Sequence, residues 1–541
     1  MSNTSELSKP KPDLTIKKTG AVYTPASVAF ALCELAAARV RDRSGLVLEP
    51  SVGEGAFLKG LNDHDFQNVV CVDQDDNALE RVKPLHPKYQ FVASEFLAFS
   101  RQDSQQKFDL IIGNPPYVRR HNFGPSFKHE IEHLSKDASV PKSTLRNAWA
   151  AFVVKSAQML NKGGVLAFVL PYELINVKYG LAVQQFLQVK FKRVDIYIPQ
   201  AKAFKNIDQD AVVLLASGRS DGKVDHCDRF VHEVPSLDDL KPIRSAPIAG
   251  KNSSDISLDI AALLFDSDTR SLLAKLRDNL NRIGDFCDTR AGIVTAANSY
   301  FILNEQQVSE FGLSDHQRPI LSRSAYLPQG PIFGESHLKE LLRSKSSLLI
   351  DFGTETVDSL PERAKKYIAL GEQLGLDDRY KMRHRSPWYR VPVVPVGDGF
   401  FFKRSHILPR FCINEAKILV TDTAYVIKMK DGRSIRSLCY SYYNSLSLLF
   451  SEIDGRFYGG GVLELTPNEF RNVPVVFADP DASEFKQFIS RFPRNSASNE
   501  VLFEQNDQYL RQRLQLTSDQ LTSIQSALVA LRSHRLRHGS A

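Results

Sequence analysis

The chain has 541 residues, of which 43% are hydrophobic and 24% are charged, and its formal net charge is +7. This length predicts two or three domains, and the composition is that of a soluble globular protein with sizeable cores. No apolar run approaches the roughly 20 residues that would span a bilayer, and residues 1–10 lack the apolar region of a secretory signal. We therefore expect neither a membrane protein nor a secreted one.

Cysteine and histidine usage points to an intracellular protein. The six cysteines lie far apart and include no Cys-x-x-Cys pair, and several lie in apolar runs, as reduced core cysteines do. The thirteen histidines form no ligand-spaced cluster with Cys or Asp. We expect a cytoplasmic protein with neither a disulfide framework nor a metal site.

From about residue 21 to residue 220 the chain alternates helical segments with short apolar runs. A predicted helix over 26–39 leads into a predicted strand over 46–49. Further strand-like runs lie at 69–73, 90–93, 108–113, 164–170, 194–198 and 211–216. This alternation is typical of a parallel sheet covered on both faces. We therefore predict an α/β, doubly wound sheet, with the last two runs forming an antiparallel hairpin at its edge.

The pattern changes after residue 220. Residues 221–254 are polar and irregular, and beyond about 255 aromatic and Gly-rich clusters replace the alternation of helices and strands. Residues 1–20 are rich in Lys and Pro and predict a flexible basic arm. We expect three parts: this arm, a first domain over 21–235, and a mixed α+β domain over 245–541.

The segment Asn114-Pro115-Pro116-Tyr117 directly follows the apolar run 108–113. The Asn114 side-chain oxygen and the Pro115 carbonyl are two acceptors for the hydrogens of one exocyclic amino group, whose lone pair they draw out of conjugation. Proline fixes the carbonyl and has no N–H that would compete. Tyr117 offers a ring face for stacking. The segment favours methylation of a planar amino group over an ordinary Pro-Pro turn.

A Gly-rich loop after the predicted strand 46–49 indicates a second ligand. Gly53 and Gly55 let a ligand approach the backbone, but the third Gly of a dinucleotide fingerprint is missing. Glu49 precedes the turn, where a carboxylate suits a cationic amino-acid end better than a pyrophosphate. Asp73 ends the next strand and is placed to bind ribose hydroxyls. This acid pair fits S-adenosylmethionine, which carries an ammonium, a sulfonium and a ribose.

The order of these motifs resembles that of the γ-class N6-adenine DNA methyltransferases, the TaqI-like kind, over residues 20–216. The resemblance rests on Tyr23-Thr24-Pro25, the loop 48–57, Asp73, Glu95-Phe96-Leu97, Asn114–Tyr117, Asn147–Phe152 and the run 160–171. Stretches at 292–298, 386–392 and 458–464 are similar to restriction–modification methyltransferases of the PstI and HincII kind.

This resemblance implies a class I S-adenosylmethionine-dependent methyltransferase fold followed by a C-terminal target-recognition domain. The implied cofactor-binding residues are Tyr23, Thr24, Glu49, Ser51, Gly53, Gly55, Asp73, Glu95, Phe96, Asn114, Pro116 and Phe152. The implied catalytic residues are Asn114, Pro115, Pro116, Tyr117 and Phe204. Glu95 replaces the Asp usual in the family, and its longer side chain should still accept a hydrogen bond from the cofactor adenine. Ser51 stands where Ala or Thr is commoner.

The resemblance further implies methyl transfer from S-adenosylmethionine to adenine N6 in double-stranded DNA, after the base leaves the stack. Tyr117 and Phe204 would sandwich the base, each stack contributing on the order of 1–3 kcal/mol. Catalysis is then mostly positioning and polarisation. We expect a monomer in the prokaryotic cytoplasm that serves a restriction–modification system, with any cognate endonuclease acting separately.

A basic stretch in the second half predicts DNA contact. Residues 379–417 hold nine Lys or Arg residues against two acidic ones, with seven aromatics interleaved. Such a stretch fits a surface that neutralises phosphates and reads base edges, whereas a solvated face carries both signs of charge. The candidate DNA-binding residues are Arg119 and Arg120 after the Asn-Pro-Pro-Tyr segment, and Arg383, Arg385, Trp388, Arg390, Lys403 and Arg404.

Three alternatives remain open. Protein-glutamine methyltransferases also use Asn-Pro-Pro-Tyr, but those chains are short and lack a basic second half. N4-cytosine DNA methyltransferases usually carry Ser-Pro-Pro-Tyr. The third alternative is no enzyme but a DNA-binding specificity or defence subunit with an inactive methyltransferase fold, against which the intact Glu49, Asp73, Asn114 and Tyr117 argue.

Overall fold

The structure of the protein is a computed structural model that describes residues 24–102, 106–201, 210–248, 264–458, 461–492 and 503–536. It divides into two compact units, the first built mainly from residues up to Asp266 and the second mainly from Ser267 to Leu536. Among the described residues, no helix combines the length and the apolar character needed to cross a bilayer.

The first unit is an α/β unit. Its described strands are β1 (Leu46–Glu49), β2 (Asn68–Asp73), β3 (Gln90–Ala93), β4 (Phe108–Gly113), β5 (Leu160–Pro171), β6 (Phe191–Pro199), β7 (Ala211–Arg219), β8 (Asp228–Val234) and β9 (Arg244–Pro247). Its described α-helices are α1 (Ala26–Ala37), α2 (Leu58–Asp63), α3 (Asp76–Val82), α4 (Phe96–Gln102), α5 (Pro125–Asp137), α6 (Ala148–Met159), α7 (Glu173–Asn176) and α8 (Lys178–Lys190).

These strands form one sheet in the order β3-β2-β1-β4-β5-β7-β6-β8-β9. The five strands from β3 to β5 run parallel, and their central members are almost wholly apolar and buried because helices cover both faces. The predicted bounds 46–49, 90–93 and 108–113 are confirmed. The predicted antiparallel pairing of the runs at 194–198 and 211–216 is also confirmed, as β6 with β7.

The position of that hairpin differs from the prediction. β6 and β7 are not at the sheet edge, because β8 pairs with β6 and β9 pairs with β8. Both extra strands fall in 221–254, which we predicted to be irregular, and the first unit extends to Asp266 rather than ending at 235. Polar pairs replace the apolar pattern here. His232 on β8 forms a hydrogen bond with Asp195 on β6 at 2.8 Å. Because such polar side chains occupy buried strand positions, the hydrophobic pattern that would predict these strands is weak.

The second unit mixes helices with small sheets. Its described strands are β10 (Cys287–Ala291), β11 (Ile302–Leu303), β12 (Gln317–Leu321), β13 (Ile332–Phe333), β14 (Leu348–Ile350), β15 (Gly399–Phe402), β16 (Arg404–Ser405), β17 (Arg410–Asn414), β18 (Leu419–Val420), β19 (Ala424–Met429), β20 (Arg456–Tyr458) and β21 (Val462–Glu464). The largest of its sheets has the order β10-β19-β15-β17-β13. This architecture agrees with the predicted mixed α+β class.

The helices of the second unit flank these sheets. Those described are α9 (Ser267–Asn279), α10 (Ile283–Phe286), α11 (Asn298–Phe301), α12 (Glu305–Phe311), α13 (Glu335–Ser344), α14 (Glu362–Gln373), α15 (Ile435–Tyr442), α16 (Ser445–Asp454), α17 (Pro467–Asn472), α18 (Ala482–Arg491), α19 (Glu504–Leu514) and α20 (Ser518–Leu536). The last of them, α20, is tied to α16 by the buried ion pair of Arg535 with Glu452, at 2.7 Å.

Candidate active site

The polar side chains singled out in the first unit converge at the carboxyl ends of three neighbouring strands. Glu49 ends β1, Asp73 ends β2, and Asn114 follows β4. β1 pairs in parallel with β2 on one side and with β4 on the other. Strands are added on one side of β1 up to β3 and then on its other side from β4 onwards, so the topological switch point lies beside β1. Doubly wound sheets bind ligands in a crevice at this point.

The Gly-rich loop is bonded to Asp73. The Gly53 N–H donates to Asp73 Oδ2 at 2.8 Å, and the Asp75 N–H donates to the other oxygen at 2.9 Å. Gly53 and Gly55 have φ values of +53° and +75°, which residues with a side chain rarely adopt. Space beyond Gly53 is open, whereas a Cβ on Gly55 would lie 2.7 Å from Val82. The loop thus follows a left-handed path that leaves room for a ligand.

Glu49 is the most unusual charged group of this edge. It is fully buried, and neither of its carboxylate oxygens has a hydrogen-bond partner among the described residues. Burial, and secondarily the charge of Asp73, hold the pKa of Glu49 well above its ordinary value. A buried carboxylate without a partner needs a cation beside it. The ammonium end of S-adenosylmethionine supplies one, so this residue fits the cofactor.

The Asn-Pro-Pro-Tyr segment forms a hydrogen-bonded corner. Asn114 Nδ2 donates to the Thr24 hydroxyl at 3.0 Å, which leaves Asn114 Oδ1 as the acceptor that faces Tyr117. The Tyr117 hydroxyl donates to that oxygen at 2.8 Å and to the Val169 carbonyl at 3.4 Å. Ser51 Oγ donates to the Asn114 carbonyl at 3.2 Å. The structure thus brings together four of the predicted site residues, Thr24, Ser51, Asn114 and Tyr117.

The rest of the corner is partly closed. Pro115 is buried, while Pro116 and Tyr117 remain partly exposed. Burial, and secondarily the charge of Glu173, raise the pKa of the Tyr117 hydroxyl well above its ordinary value, so Tyr117 is a neutral donor.

Glu95, Phe96 and Phe152 lie where α4 meets α6. The Glu95 carboxylate accepts a hydrogen bond from the Ala98 N–H at 3.0 Å, so it caps α4. Burial raises the pKa of Glu95, although its hydrogen bonds to backbone N–H groups oppose that rise. Phe96 and Phe152 are almost fully buried, with ring centroids 4.7 Å apart. The cofactor roles of all three stay predictions. The predicted cofactor residue Tyr23 and the predicted catalytic residue Phe204 lie outside the described residues.

A carboxylate that sequence analysis did not single out lies beside this corner. Glu173, the first residue of α7, accepts hydrogen bonds from Asn147 and Trp149 at 3.2 and 3.5 Å and from the Tyr179 hydroxyl. It also lies 3.8 Å from Arg119, a predicted DNA contact. Its partners are scattered through the chain, so no spacing in the sequence could have marked it.

The basic stretch of the second unit has a different character from the one predicted. Five of its seven aromatic residues are core residues, four of them because β15 and β17 lie inside the five-stranded sheet. They are Tyr389, Phe400, Phe401, Phe402 and Phe411, all at most 2% exposed. The prediction that aromatics and cations share one nucleic-acid surface is therefore wrong for these five rings.

The candidate DNA-binding side chains of that stretch fall into two groups, those that are bonded within the unit and those that face solvent. Arg385 donates to the Val294 and Thr295 carbonyls at 2.8 and 3.1 Å, and Arg404 is paired with Glu464. Of the two other aromatics, Tyr380 is exposed, whereas Trp388 is partly buried and donates a hydrogen bond to Glu372 at 3.2 Å. Arg383 and Arg390 are exposed, and Lys403 is partly exposed. In the first unit, Arg119 and Arg120 are exposed.

Arg390 also lines a cleft of the second unit. This cleft has a volume of about 560 Å³ and is bordered by polar groups, among them Asp351, Thr354 and His384. The Asp351 carboxylate accepts a hydrogen bond from Arg318 at 3.2 Å, so its charge is already balanced. A cleft with an exposed guanidinium is a place where a base edge can bind.

The strand order and the site together define a class I S-adenosylmethionine-dependent methyltransferase. Comparison with known proteins gives the family. Residues 33–203 match the family described as Eco57I restriction-modification methylase, and residues 259–510 match the C-terminal domain of the type II methyltransferase M.Eco57I. The chain belongs to the type II restriction–modification methyltransferases and is a DNA methyltransferase that uses S-adenosylmethionine.

Individual relatives are distant. The chain is 25% identical over 479 residues to the type II methyltransferase M.AccI of Acinetobacter calcoaceticus, covering 84% of each chain. It is 26% identical over 321 residues to M.HindII of Haemophilus influenzae, covering 54% of this chain and 57% of that one. Among solved structures, the DrdV–DNA complex matches 88% of this chain and 58% of that chain, with 13% identity and a TM-score of 0.48.

Proposed function

We propose that this enzyme methylates N6 of adenine in double-stranded DNA, at a specific sequence and with the target base flipped out of the helix. The observation that carries the proposal is the corner at Asn114. Thr24 accepts a hydrogen bond from the amide NH2 of Asn114, which fixes the orientation of the amide. The amide oxygen, which accepts a hydrogen bond from Tyr117, would also accept one from the substrate amine. Together with the Pro115 carbonyl it supplies the two acceptors that an exocyclic NH2 group requires.

The residues of the site would divide the work as follows. When bound, S-adenosylmethionine supplies an electrophilic methyl group. Glu49 would face the cationic methionine end, and Asp73 would bind the ribose hydroxyls. Asn114 Oδ1 and the Pro115 carbonyl would accept the two N6 hydrogens and turn the nitrogen lone pair outward. The N6–methyl bond forms as the sulfur–methyl bond breaks, and N6 then releases one proton to solvent.

DNA contacts would come from both units. Tyr117 would stack on the flipped base, with Phe204 on its other face as the family resemblance implies. Arg119 and Arg120 would bind phosphates near the target. The second unit would be the target-recognition domain, with the exposed Arg383 and Arg390 and the partly exposed Lys403 as candidate DNA contacts. Arg385, Arg404 and Trp388 are weaker candidates, because each already has a partner inside the unit.

The biological setting follows from the proposed reaction. Methylation of one adenine per site would protect host DNA from a cognate endonuclease that recognises the same sequence. That endonuclease would be a separate protein, and the methyltransferase would act as a monomer, since one recognition unit and one catalytic unit suffice for one target. Its place of work would be the cytoplasm of a prokaryotic cell, where the DNA lies.

The test is the chemical identity of the product. The enzyme is incubated with labelled S-adenosylmethionine and duplex DNA of many sequences, and the digested nucleosides are separated by mass. We expect N6-methyladenine in one sequence context. N4-methylcytosine would replace the adenine assignment by the cytosine alternative. Label only in added release factor would indicate a protein-glutamine methyltransferase, and no label anywhere would indicate an inactive specificity subunit.

A further inference from the structure

The two oxygens of Glu173 have different partners. Oε2 accepts hydrogen bonds from the Asn147 amide at 3.2 Å, from the Trp149 indole at 3.5 Å and from the Tyr179 hydroxyl. Oε1 lies 3.8 Å from the guanidinium of Arg119. The side chain of Glu173 is 23% exposed, so the carboxylate is partly desolvated, and charge-assisted hydrogen bonds are strong there.

The partners on Oε2 hold the segment that leaves the catalytic corner. The Ala148 N–H donates to the Val118 carbonyl at 2.9 Å, and the Arg120 N–H donates to the Arg146 carbonyl at 2.9 Å. Residues 118–120 are therefore bonded to the chain that enters α6. Because Asn147 and Trp149 belong to that same chain, the Glu173 carboxylate anchors both strands of this small ladder.

The fold brings α8 close enough for the third bond. Gly180 lies on α8 where a Cβ would be only 2.1 Å from the Glu173 carbonyl oxygen. No side chain fits there, so the glycine permits the close approach that lets the neighbouring Tyr179 hydroxyl reach Oε2. The charge of Glu173 also raises the pKa of Tyr117, second to burial, which shows that the carboxylate and the catalytic corner share one electrostatic environment.

We propose that Glu173 is a positioning residue of the target-base pocket. Through Oε2 it fixes residues 118–120 beside the base, and through Oε1 it holds Arg119 at the pocket rim. Arg119 keeps 57% of its side chain exposed, so its remaining N–H groups are accessible to a phosphate next to the flipped base. This inference rests on the proposed function for the identity of the base and of the phosphate.

Two substitutions distinguish the role of Oε1 from the role of Oε2. Glu173→Gln retains a carbonyl oxygen for the three donors on Oε2 but removes the charge that holds Arg119. Glu173→Ala removes both. We expect the Gln variant to keep kcat within about threefold and to raise KM for DNA. We expect the Ala variant to lower kcat by roughly 10–10², the loss expected when reacting groups are displaced by about 1 Å.

Arg119→Met supplies the matched partner of this test. It should raise KM for DNA as Glu173→Gln does, and combining the two should add little, because both remove one interaction. Glu132→Gln is the control. It removes an exposed ion pair on α5, with Lys142 at 2.8 Å, and should leave kcat and the affinity for S-adenosylmethionine unchanged.

Amide hydrogen exchange gives a readout that needs neither DNA nor activity. In the Ala variant the amides of Arg120 and Ala148 should exchange at least about tenfold faster than in the wild type, and in the Gln variant at the wild-type rate. Unchanged exchange and kcat in the Ala variant, or Gln behaving like Ala in both, would overturn the inference. The methylated product of the wild-type enzyme decides the proposed function separately.

Discussion

The strand ends of the first unit and the basic stretch of the second were predicted with equal detail, yet the structure treats them differently. At the strand ends, Glu49, Asp73 and Asn114 converge because three parallel strands end at one edge. In the stretch 379–417 most aromatics are buried, although cations and rings are interleaved in the sequence. Strand register forces neighbouring ends together, whereas rings interleaved with cations also occur where a core strand such as β15, buried along its whole length, is followed by charged residues.

The comparison is sharpest at Asn114. Asn114→Ala removes one of two acceptors for the target amine and should lower the single-turnover methylation rate by about 10²–10³, as deletion of one preorganised polar contact does. Binding of S-adenosylmethionine and of DNA should change little. The measurement is single-turnover methyl transfer at saturating DNA. A variant that methylates at nearly the wild-type rate would remove Asn114 from the chemistry.

Glu49→Gln tests the cofactor side of the same edge. It keeps the volume of the side chain but removes the charge proposed to face the methionine ammonium, so the Kd for S-adenosylmethionine should rise by roughly 10–100-fold, the range for losing one hydrogen bond to a charged group. Isothermal titration calorimetry measures it. Glu80→Gln, on an exposed residue of α3 near Lys83, is the control for the change in net charge.

The pH dependence of binding makes this prediction more specific. The pKa of Glu49 is raised in the folded protein without ligand, so the buried carboxyl stays protonated above its unfolded pKa of about 4.3. In the protein without ligand, the raised pKa of Glu49 contributes most to folding stability below about pH 4.3. This contribution is lost as the pH rises towards the raised pKa. A bound cation favours the carboxylate, so cofactor affinity should increase with pH across this window. Equal pH profiles for wild type and Glu49→Gln would contradict this role.

How much the sequence could predict depended on whether the chemistry was local. The bounds of β1, β3 and β4 and the residues at the strand ends follow from short buried runs with polar ends. β8 and β9 were missed because polar pairs, such as Arg244 with Glu233, replace the apolar pattern. Glu173 was missed because it is a single acidic residue whose partners are brought together only by the fold.

In the second unit, we expect Arg385 to stabilise the fold and Arg390 to recognise DNA. Arg390→Met should weaken binding to the cognate sequence by about 1–3 kcal/mol and leave binding to scrambled DNA nearly unchanged, if Arg390 reads a base edge. Arg385→Met should instead lower the free energy of unfolding, because it leaves the Val294 and Thr295 carbonyls without their donor. Filter binding on both duplexes and denaturant unfolding measure the two effects. Loss of specificity by the Arg385 variant alone would reverse the assignment.

Lys403 should show the smallest effect, on the salt dependence of binding. If its ammonium contacts one phosphate, Lys403→Met should reduce the slope of log K against log salt by about 0.9, equally on cognate and scrambled DNA. Arg404 should contribute less than Lys403, because Glu464 already neutralises it. Lys428→Met is the matched control, since that lysine is exposed and paired with Asp398 at 2.8 Å. If the slopes of the Lys403 and Lys428 variants coincide, Lys403 belongs to a solvated face and the phosphates are bound elsewhere.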